Sequence, residues 1–144
     1  MINGVALMCL RVLDLDEAKA FYVEKLGFDV AMDSVMDGFR WLVVTIPGEP
    51  PTPLMLVEPG APLMDEVSAE HMREAIARGY YGLGALKTDD CRAAYEELAA
   101  RGVEFTEEPH ERFYGIDAAF RDPSGNFWRL TQPKPVAVPN GPGA

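Results

Sequence analysis

The sequence predicts an α+β fold built from two similar modules, each with one strand, one helix and then three strands. One pattern occurs twice, in residues 7–30 and in residues 83–105. Each copy has a short apolar run, an acidic turn, an amphipathic stretch that ends near a glycine, and a second strand-like run. Two copies are too few for a solenoid, which stacks at least three units. Because four strands cannot close a barrel alone, two βαβββ modules predict a curved mixed sheet with a concave ligand face.

The elements of the first module, residues 1–58, follow from local signals. Residues 5–12 are mostly apolar and predict a strand, and Asp14 and Glu17 have the spacing of a helix-capping pair. A helix follows that ends at Gly27 and has one apolar face, formed by Ala18, Phe21, Tyr22 and Leu26. Strands are predicted at residues 28–32, 39–46 and 54–57, with a hairpin turn at Asp37-Gly38 and a proline-rich loop at 47–53.

Residues 59–79 are predicted to be a linker whose helix begins at Ser68 and ends at Gly79. The second module, residues 80–132, repeats the order with a strand at 83–88 and a helix at 90–101. Three further strands are predicted at 103–106, 116–121 and 127–131, and residues 107–115 are predicted to form a loop. Residues 133–144 are rich in Pro and Gly and predict a disordered tail beyond the single structural domain.

Composition excludes several classes of partner. The formal net charge of −10 argues against a nucleic-acid surface and an anionic membrane. No run of about 18 apolar residues is present, and the N-terminus lacks the basic start of a signal peptide. The two cysteines, Cys9 and Cys91, are far apart and lack metal or redox spacing. We therefore expect a cytoplasmic protein with reduced thiols and no nucleic-acid or membrane partner.

Two segments carry a resemblance to a known family. The first is RVLDLDEAKAFYVEKLGF in the first module, and the second is AFRDPSGNFWRLTQ at the end of the second module. Over residues 4–132 the chain resembles the vicinal oxygen chelate superfamily, also called the glyoxalase/bleomycin-resistance/dioxygenase group. The resemblance implies paired βαβββ modules, commonly in a homodimer that completes or covers the sites, and we expect a homodimer here.

Metal-dependent members of this family bind a divalent ion with side chains on the first and last strands of each module. The resemblance assigns these positions to Leu7, Leu83, Arg129 and Met55, with Glu58 as the alternative to Met55. Leucine has no donor atom, arginine stays protonated, and a thioether is a poor ligand for hard cations. We therefore expect no metal and no cofactor.

Arg129 is the strongest polar candidate. Strand alternation puts Phe127, Arg129 and Thr131 on one face, opposite Trp128 and Leu130, and the resemblance makes the Arg129 face the concave one. Two interpretations stay open. The guanidinium forms an ion pair with an internal carboxylate, such as Glu58 or Asp117, or it anchors an anionic or carbonyl-bearing ligand.

The residues expected around the ligand describe an apolar, aromatic cleft. The predicted ligand-binding residues are Leu7, Cys9, Trp41, Met55, Leu83, Tyr114, Phe127 and Arg129, and Tyr80, Tyr81 and Phe113 are predicted to border the same face. Such clefts bind flat or hydrophobic small molecules.

Two functions compete for this cleft. The first is a metal-independent binding protein that sequesters a hydrophobic or aromatic ligand. The alternative is a lyase-, isomerase- or dioxygenase-like enzyme acting on a small carbonyl or aromatic substrate. Its candidate catalytic residues are Arg129, Tyr114, Glu58 and His110. Binding is favoured because no acid–base pair occurs at a defined spacing. The ligand's identity, and whether the modules pair within a chain or between chains, stay open.

Overall fold

The structure, a computed structural model, describes residues 1–135. Its elements are β1 (Met8–Arg11), α1 (Leu15–Ala20) with a π-helical continuation (Phe21–Lys25), β2 (Asp29–Met36), β3 (Phe39–Ile46), β4 (Thr52–Val57), α2 (Glu66–Ala77), β5 (Gly84–Lys87), α3 (Cys91–Ala100), β6 (Glu104–Arg112), β7 (Gly115–Arg121) and β8 (Phe127–Pro133). The predicted α+β class and the duplicated βαβββ order are confirmed. Strand β8 extends one residue into the segment predicted as a tail, and residues 136–144 of that segment lie outside the described residues.

Each module forms its own four-stranded mixed sheet. The first sheet has the order β1-β4-β3-β2, and the second has the equivalent order β5-β8-β7-β6. In each sheet the first strand pairs parallel with the last strand of its module, and the other neighbours are antiparallel. The helix of each module supplies the crossover that a parallel pair needs.

The two module helices begin and end in the same way. Asp14 Oδ1 accepts a hydrogen bond at 2.8 Å, and Asp90 Oδ1 accepts one at 3.0 Å, from the backbone N–H three positions further on. Gly27 and Gly102 follow the helix ends with φ values of 78° and 91°, a conformation that costs glycine little. The capping and stop signals read from the repeat are confirmed.

The predicted start of the linker helix is wrong. Asp65, not Ser68, is the N-cap of α2, because its carboxylate accepts from the Ser68 backbone N–H at 2.9 Å. The Ser68 hydroxyl donates to the same carboxylate at 2.8 Å, so Ser68 lies inside the first turn. Asp and Ser both favour the N-cap position, so the local sequence is compatible with a helix that begins after either Asp65 or Ser68.

Strand β6 is longer than predicted and includes the stretch assigned to a loop. Residues 107–112, with Pro109 and His110, continue the strand through two irregularities in its pairing with β7. The strand is at the edge of its sheet, where a proline without an N–H is tolerated.

One hydrophobic core joins both modules, and α1 lies at its centre. The Phe21 ring lies 6.3 Å from the Phe120 ring of the second sheet. The Tyr22 hydroxyl donates to Asp122 Oδ2 at 2.6 Å and accepts from Trp128 Nε1 at 2.8 Å. Since α3 also packs on β6, β7 and β8, both module helices lie between the two sheets. The core comprises Leu10, Val12, Ala18, Phe21, Tyr22, Phe28, Leu42, Val44, Leu54, Leu56, Cys91, Val103, Ala118, Phe120, Trp128 and Leu130.

The DPSGN turn between β7 and β8 locks the modules together. Asp122 Oδ1 accepts from three backbone N–H groups of this turn, at 2.9 to 3.0 Å. Asn126 Nδ2 donates to the Arg11 carbonyl at 2.8 Å, and the Leu13 N–H donates to Ser124 Oγ at 2.8 Å.

Because both module helices lie between the two sheets, the helix-bearing faces of the sheets face each other. We call the opposite face of each sheet, which is turned away from the shared core, its outward face.

Candidate functional site

The outward face of the second sheet carries the polar side chains of the candidate site. Trp128 and Leu130 are buried in the core, which confirms that Arg129 points the other way. Arg129 lies beside Ala85 and Ala119 in the register, and Thr131 lies beside Asp117. The face is formed by Ala85, Glu107, Asp117, Ala119, Phe127, Arg129 and Thr131.

A fully buried carboxylate, Asp117, is the centre of a hydrogen-bond network on this face. Its side chain is 0% exposed and accepts from Arg129 Nε at 2.5 Å, Tyr114 Oη at 2.6 Å and Thr131 Oγ1 at 3.1 Å. Arg112 Nε lies 3.4 Å away. Burial by itself would raise the pKa of Asp117, but these donors outweigh it and hold the pKa below its usual value.

A second carboxylate completes the pairing of Arg129. Arg129 Nη2 donates to Glu107 Oε2 at 2.7 Å, and Arg112 Nη2 lies 3.4 Å from the same oxygen. Two carboxylates and two guanidiniums thus form a cluster without net charge. Of the two open interpretations of Arg129, the ion pair with Asp117 is present. Within the described residues Nη1 has no hydrogen-bond acceptor, so one edge of the guanidinium can still donate to a ligand.

The predicted catalytic residues do not all converge. Tyr114 and Arg129 share Asp117, and His110 pairs with Asp117 across β6 and β7. The His110 ring is exposed, with Nδ1 2.6 Å from the Glu108 carbonyl. Glu58 is outside the cluster, and its charge interacts with that of Arg73 on α2.

Tyr114 keeps its phenolic proton in this setting. Its hydrogen bond to the Asp117 carboxylate, together with burial and the charge of that carboxylate, raises the pKa of the phenol. Since the pKa of Asp117 is shifted down and that of Tyr114 up, neither group titrates near neutral pH. The network can position groups and donate hydrogen bonds, but it offers no acid–base pair matched to neutral pH.

An aromatic cavity opens beside Arg129. It has a volume of about 440 Å³ and is lined by Tyr80, Tyr81, Phe127 and Arg129, together with Ala85 and three glycines. The Arg129 guanidinium carbon lies 5.7 Å from the centre of the Phe127 ring, within the range of a cation–π contact. Tyr80 is 80% exposed, so its ring is available to a ligand or a partner.

The first sheet has an apolar outward face. Cys9 pairs with Met55 across β1 and β4, and Met55 pairs with Val43 across β4 and β3. Met55 is buried, and Trp41, two positions before Val43 on β3, is 37% exposed. Leu7 precedes β1 and is exposed. Leu7, Cys9, Trp41 and Met55 therefore border one surface.

Leu83 lies elsewhere. It lines a separate crevice between the two modules, on the helix-bearing side of the second sheet. Glu107 is the site residue that the sequence did not indicate as a partner of Arg129, because the end of β6 was predicted as a loop. The alternation of β6 against β7 is the signal that could have found it.

The metal positions of the resemblance do not fit a divalent cation. Leu7 and Leu83 have no donor atom, and the Arg129 guanidinium is held by two carboxylates. Among residues 1–135 no group of three or more His, Cys, Asp or Glu side chains is arranged to hold a metal ion. Both cysteines are free thiols, Cys9 exposed and Cys91 buried. In the part of the chain that the structure describes, no helix has the length and apolarity to cross a membrane.

Comparisons with known proteins agree with this geometry. A family model for the Glyoxalase/Bleomycin resistance protein/Dioxygenase superfamily matches residues 3–130. The crystal structure of UcmS2 is 43% identical, covers 91% of this chain and 98% of its own, and has a TM-score of 0.86. TnmS3, an antibiotic binding protein from Streptomyces sp. CB03234, is 35% identical over 92% of this chain and 98% of its own, with a TM-score of 0.73. An uncharacterized protein of Shewanella frigidimarina is 34% identical over 134 residues, which are 92% of this chain and 95% of that protein.

Proposed function

The chain belongs to the glyoxalase/bleomycin resistance protein/dioxygenase superfamily, and we propose that it sequesters a hydrophobic or aromatic small molecule without a metal. The observation that carries this proposal is the aromatic cavity beside Arg129. Tyr81 and Phe127 can stack on a flat ligand, and the open edge of the Arg129 guanidinium can donate to a carbonyl oxygen. The similarity to an antibiotic binding protein supports a ligand of that kind.

The charge balance of the cluster supports an uncharged ligand. Asp117 and Glu107 already neutralise Arg129 and Arg112, so an anionic ligand would have to compete with two carboxylates. An uncharged aromatic molecule with one or two hydrogen-bond acceptors leaves these pairs intact. The raised pKa of Tyr114 and the lowered pKa of Asp117 also favour binding over turnover, because neither group changes its protonation state near neutral pH.

We also propose that a second copy of the chain completes the site. The outward faces of the two sheets are turned away from one another within one chain, so a single ligand contacts both only across a homodimer. Large apolar side chains on or beside these faces are exposed, including Met32, Trp41, Tyr81 and Phe113. Burying these exposed apolar side chains in an interface with a second copy stabilises the dimer. Light scattering at micromolar concentration is expected to give twice the chain mass, and a monomer would refute this part of the proposal.

Isothermal titration with a panel of flat aromatic antibiotics tests the binding function. We expect Phe127→Leu and Tyr81→Leu each to weaken the affinity for a ligand identified in this panel by about 2- to 12-fold. This factor corresponds to the roughly 0.5–1.5 kcal/mol that one aromatic contact contributes. Val35→Ala, an exposed apolar side chain on β2, is the matched control and should leave affinity unchanged. Mass spectrometry should recover the compound intact. Steady conversion to a product would support the enzyme alternative instead.

The cytoplasm is the proposed location. Cys9 is an exposed free thiol, and such thiols persist where the medium is reducing. Cell fractionation with an antibody to the chain tests this, and recovery outside the cytosol would contradict it.

A further inference from the structure

A second cavity shares Tyr81 with the aromatic cavity beside Arg129. It lies along α2 and has a volume of about 440 Å³, within the roughly 300–1,000 Å³ of clefts that hold small ligands. We call it the α2 groove. Its lining residues are Val67, Ser68, His71, Met72, Ala75 and Tyr81.

The face of α2 that forms the groove is turned away from the core. Val67, His71 and Ala75 follow one another at intervals of four residues, so they lie on one side of the helix. Ala69 and Ile76 lie on a different side and are fully buried, whereas Val67 is 68% exposed. An apolar side chain so exposed on a helix is available for contact with a bound molecule.

The polar content of the groove is low. The Ser68 hydroxyl already donates to the Asp65 carboxylate at 2.8 Å. The remaining surface comes from Val67, Met72 and Ala75, with the imidazole of His71 as the other polar group of the lining. The groove therefore offers mainly apolar contacts.

The backbone around Tyr81 is fixed between the two cavities. The Tyr80 N–H donates to the Ala75 carbonyl of α2 at 3.0 Å, and the Tyr81 carbonyl accepts from the Phe127 N–H of β8 at 2.9 Å. The Tyr81 side chain is 41% exposed and lines both cavities. A ligand stacked on Phe127 can therefore extend past Tyr81 onto α2.

We infer that the α2 groove is a second subsite of the same binding site, and that the ligand is an elongated molecule. Its flat, carbonyl-bearing part occupies the aromatic cavity, and an apolar substituent about the size of one ring lies against Val67 and Ala75. This inference rests on the proposed function, which supplies the occupant of the first cavity. Burial of the substituent provides the added affinity, and no further charge is needed.

Chromone and flavone are matched probes for the two subsites. Chromone is a flat two-ring molecule with one carbonyl group, and flavone is the same molecule with one added phenyl ring. Complete burial of a phenyl-sized group contributes roughly 1.5–3 kcal/mol. Because the groove is open to solvent, we expect about half of that, so flavone should bind about 4- to 12-fold more tightly than chromone in isothermal titration.

Substitutions in each cavity should act differently on this affinity ratio. Val67→Gln and Ala75→Gln put a polar amide where the phenyl ring lies, and each should reduce the ratio to less than about two-fold. Phe127 lines the aromatic cavity and not the groove, so Phe127→Leu should weaken both probes and preserve the ratio. Glu70→Gln places the same amide on α2 outside the groove and is the matched control, which should leave both affinities unchanged.

The inference alone is overturned if chromone binds but flavone binds no more tightly. It is also overturned if flavone binds more tightly and folded Val67→Gln and Ala75→Gln variants both keep the full ratio. Absence of saturable binding by either probe would overturn it together with the proposed function. If Val67→Gln converts a dimer into a monomer in light scattering, the groove is an interface between copies and not a ligand subsite.

Discussion

Replacing Arg129 with methionine measures how much the buried pair with Asp117 stabilises the second sheet. Methionine keeps the apolar stem but removes the donor that lies 2.5 Å from a fully buried carboxylate. An unpaired buried charge costs about 3–5 kcal/mol, and one charge-assisted hydrogen bond contributes about 1.5–3 kcal/mol. Because Tyr114 and Thr131 continue to donate to Asp117, we expect a loss of about 2–3 kcal/mol. For a chain of 144 residues the melting temperature should fall by roughly 6–12 °C.

The loss should depend on pH in a defined direction. The pKa of Asp117 in the folded protein is below its unfolded value of about 3.9, so its contribution is complete above that value and is lost as pH falls through the folded pKa. Without Arg129, burial is less well opposed and the folded pKa of Asp117 rises. The difference in the free energy of unfolding between parent and variant should therefore be largest at neutral pH and shrink below about pH 4.

Urea unfolding at pH 7 and pH 3 measures the loss in the free energy of unfolding and its dependence on pH, and thermal melts at pH 7 measure the change in melting temperature. Asp117→Asn and the double variant are the controls, and the double variant should lose less than the sum of the single losses, because the two residues are in contact. An unchanged melting temperature at pH 7 would refute the reasoning. So would a loss of equal size at both pH values, because that result would make the effect one of packing.

Three further predictions concern the core, a helix end and the metal. Tyr22→Phe leaves the Trp128 N–H without its acceptor and removes one donor from Asp122. The free energy of unfolding measured by urea titration should therefore fall by about 2–3 kcal/mol. A fall of less than about 0.5 kcal/mol would contradict the importance of this buried network. Asp90→Ala should cost about 1 kcal/mol through loss of the α3 cap, whereas the neighbouring Asp89→Ala should cost almost nothing in the same thermal melts. Elemental analysis of the purified protein should find no stoichiometric divalent metal, and one Zn, Fe, Ni or Mn per chain would overturn the assignment of the ligand positions.

The sequence by itself determined the two modules and the ends of their helices. Asp14 and Asp90 cap the helices, and Gly27 and Gly102 end them, because these signals act within a single turn of chain. The sequence also predicted which face of β8 carries Arg129, since side chains alternate between the two faces along any strand. The loss of metal donors needed only the identity of the residues at the expected positions.

The tertiary structure alone decided how the modules meet and what surrounds Arg129. The packing of α1 between both sheets depends on contacts such as that of Tyr22 with Asp122, which are 100 residues apart in the chain. No local sequence pattern predicts a contact between residues so far apart in the chain. The same holds for Glu107, which reaches Arg129 because β6 continues beyond residue 106 as an edge strand. The crevice between the two modules that Leu83 lines also depends on how the modules are oriented relative to each other.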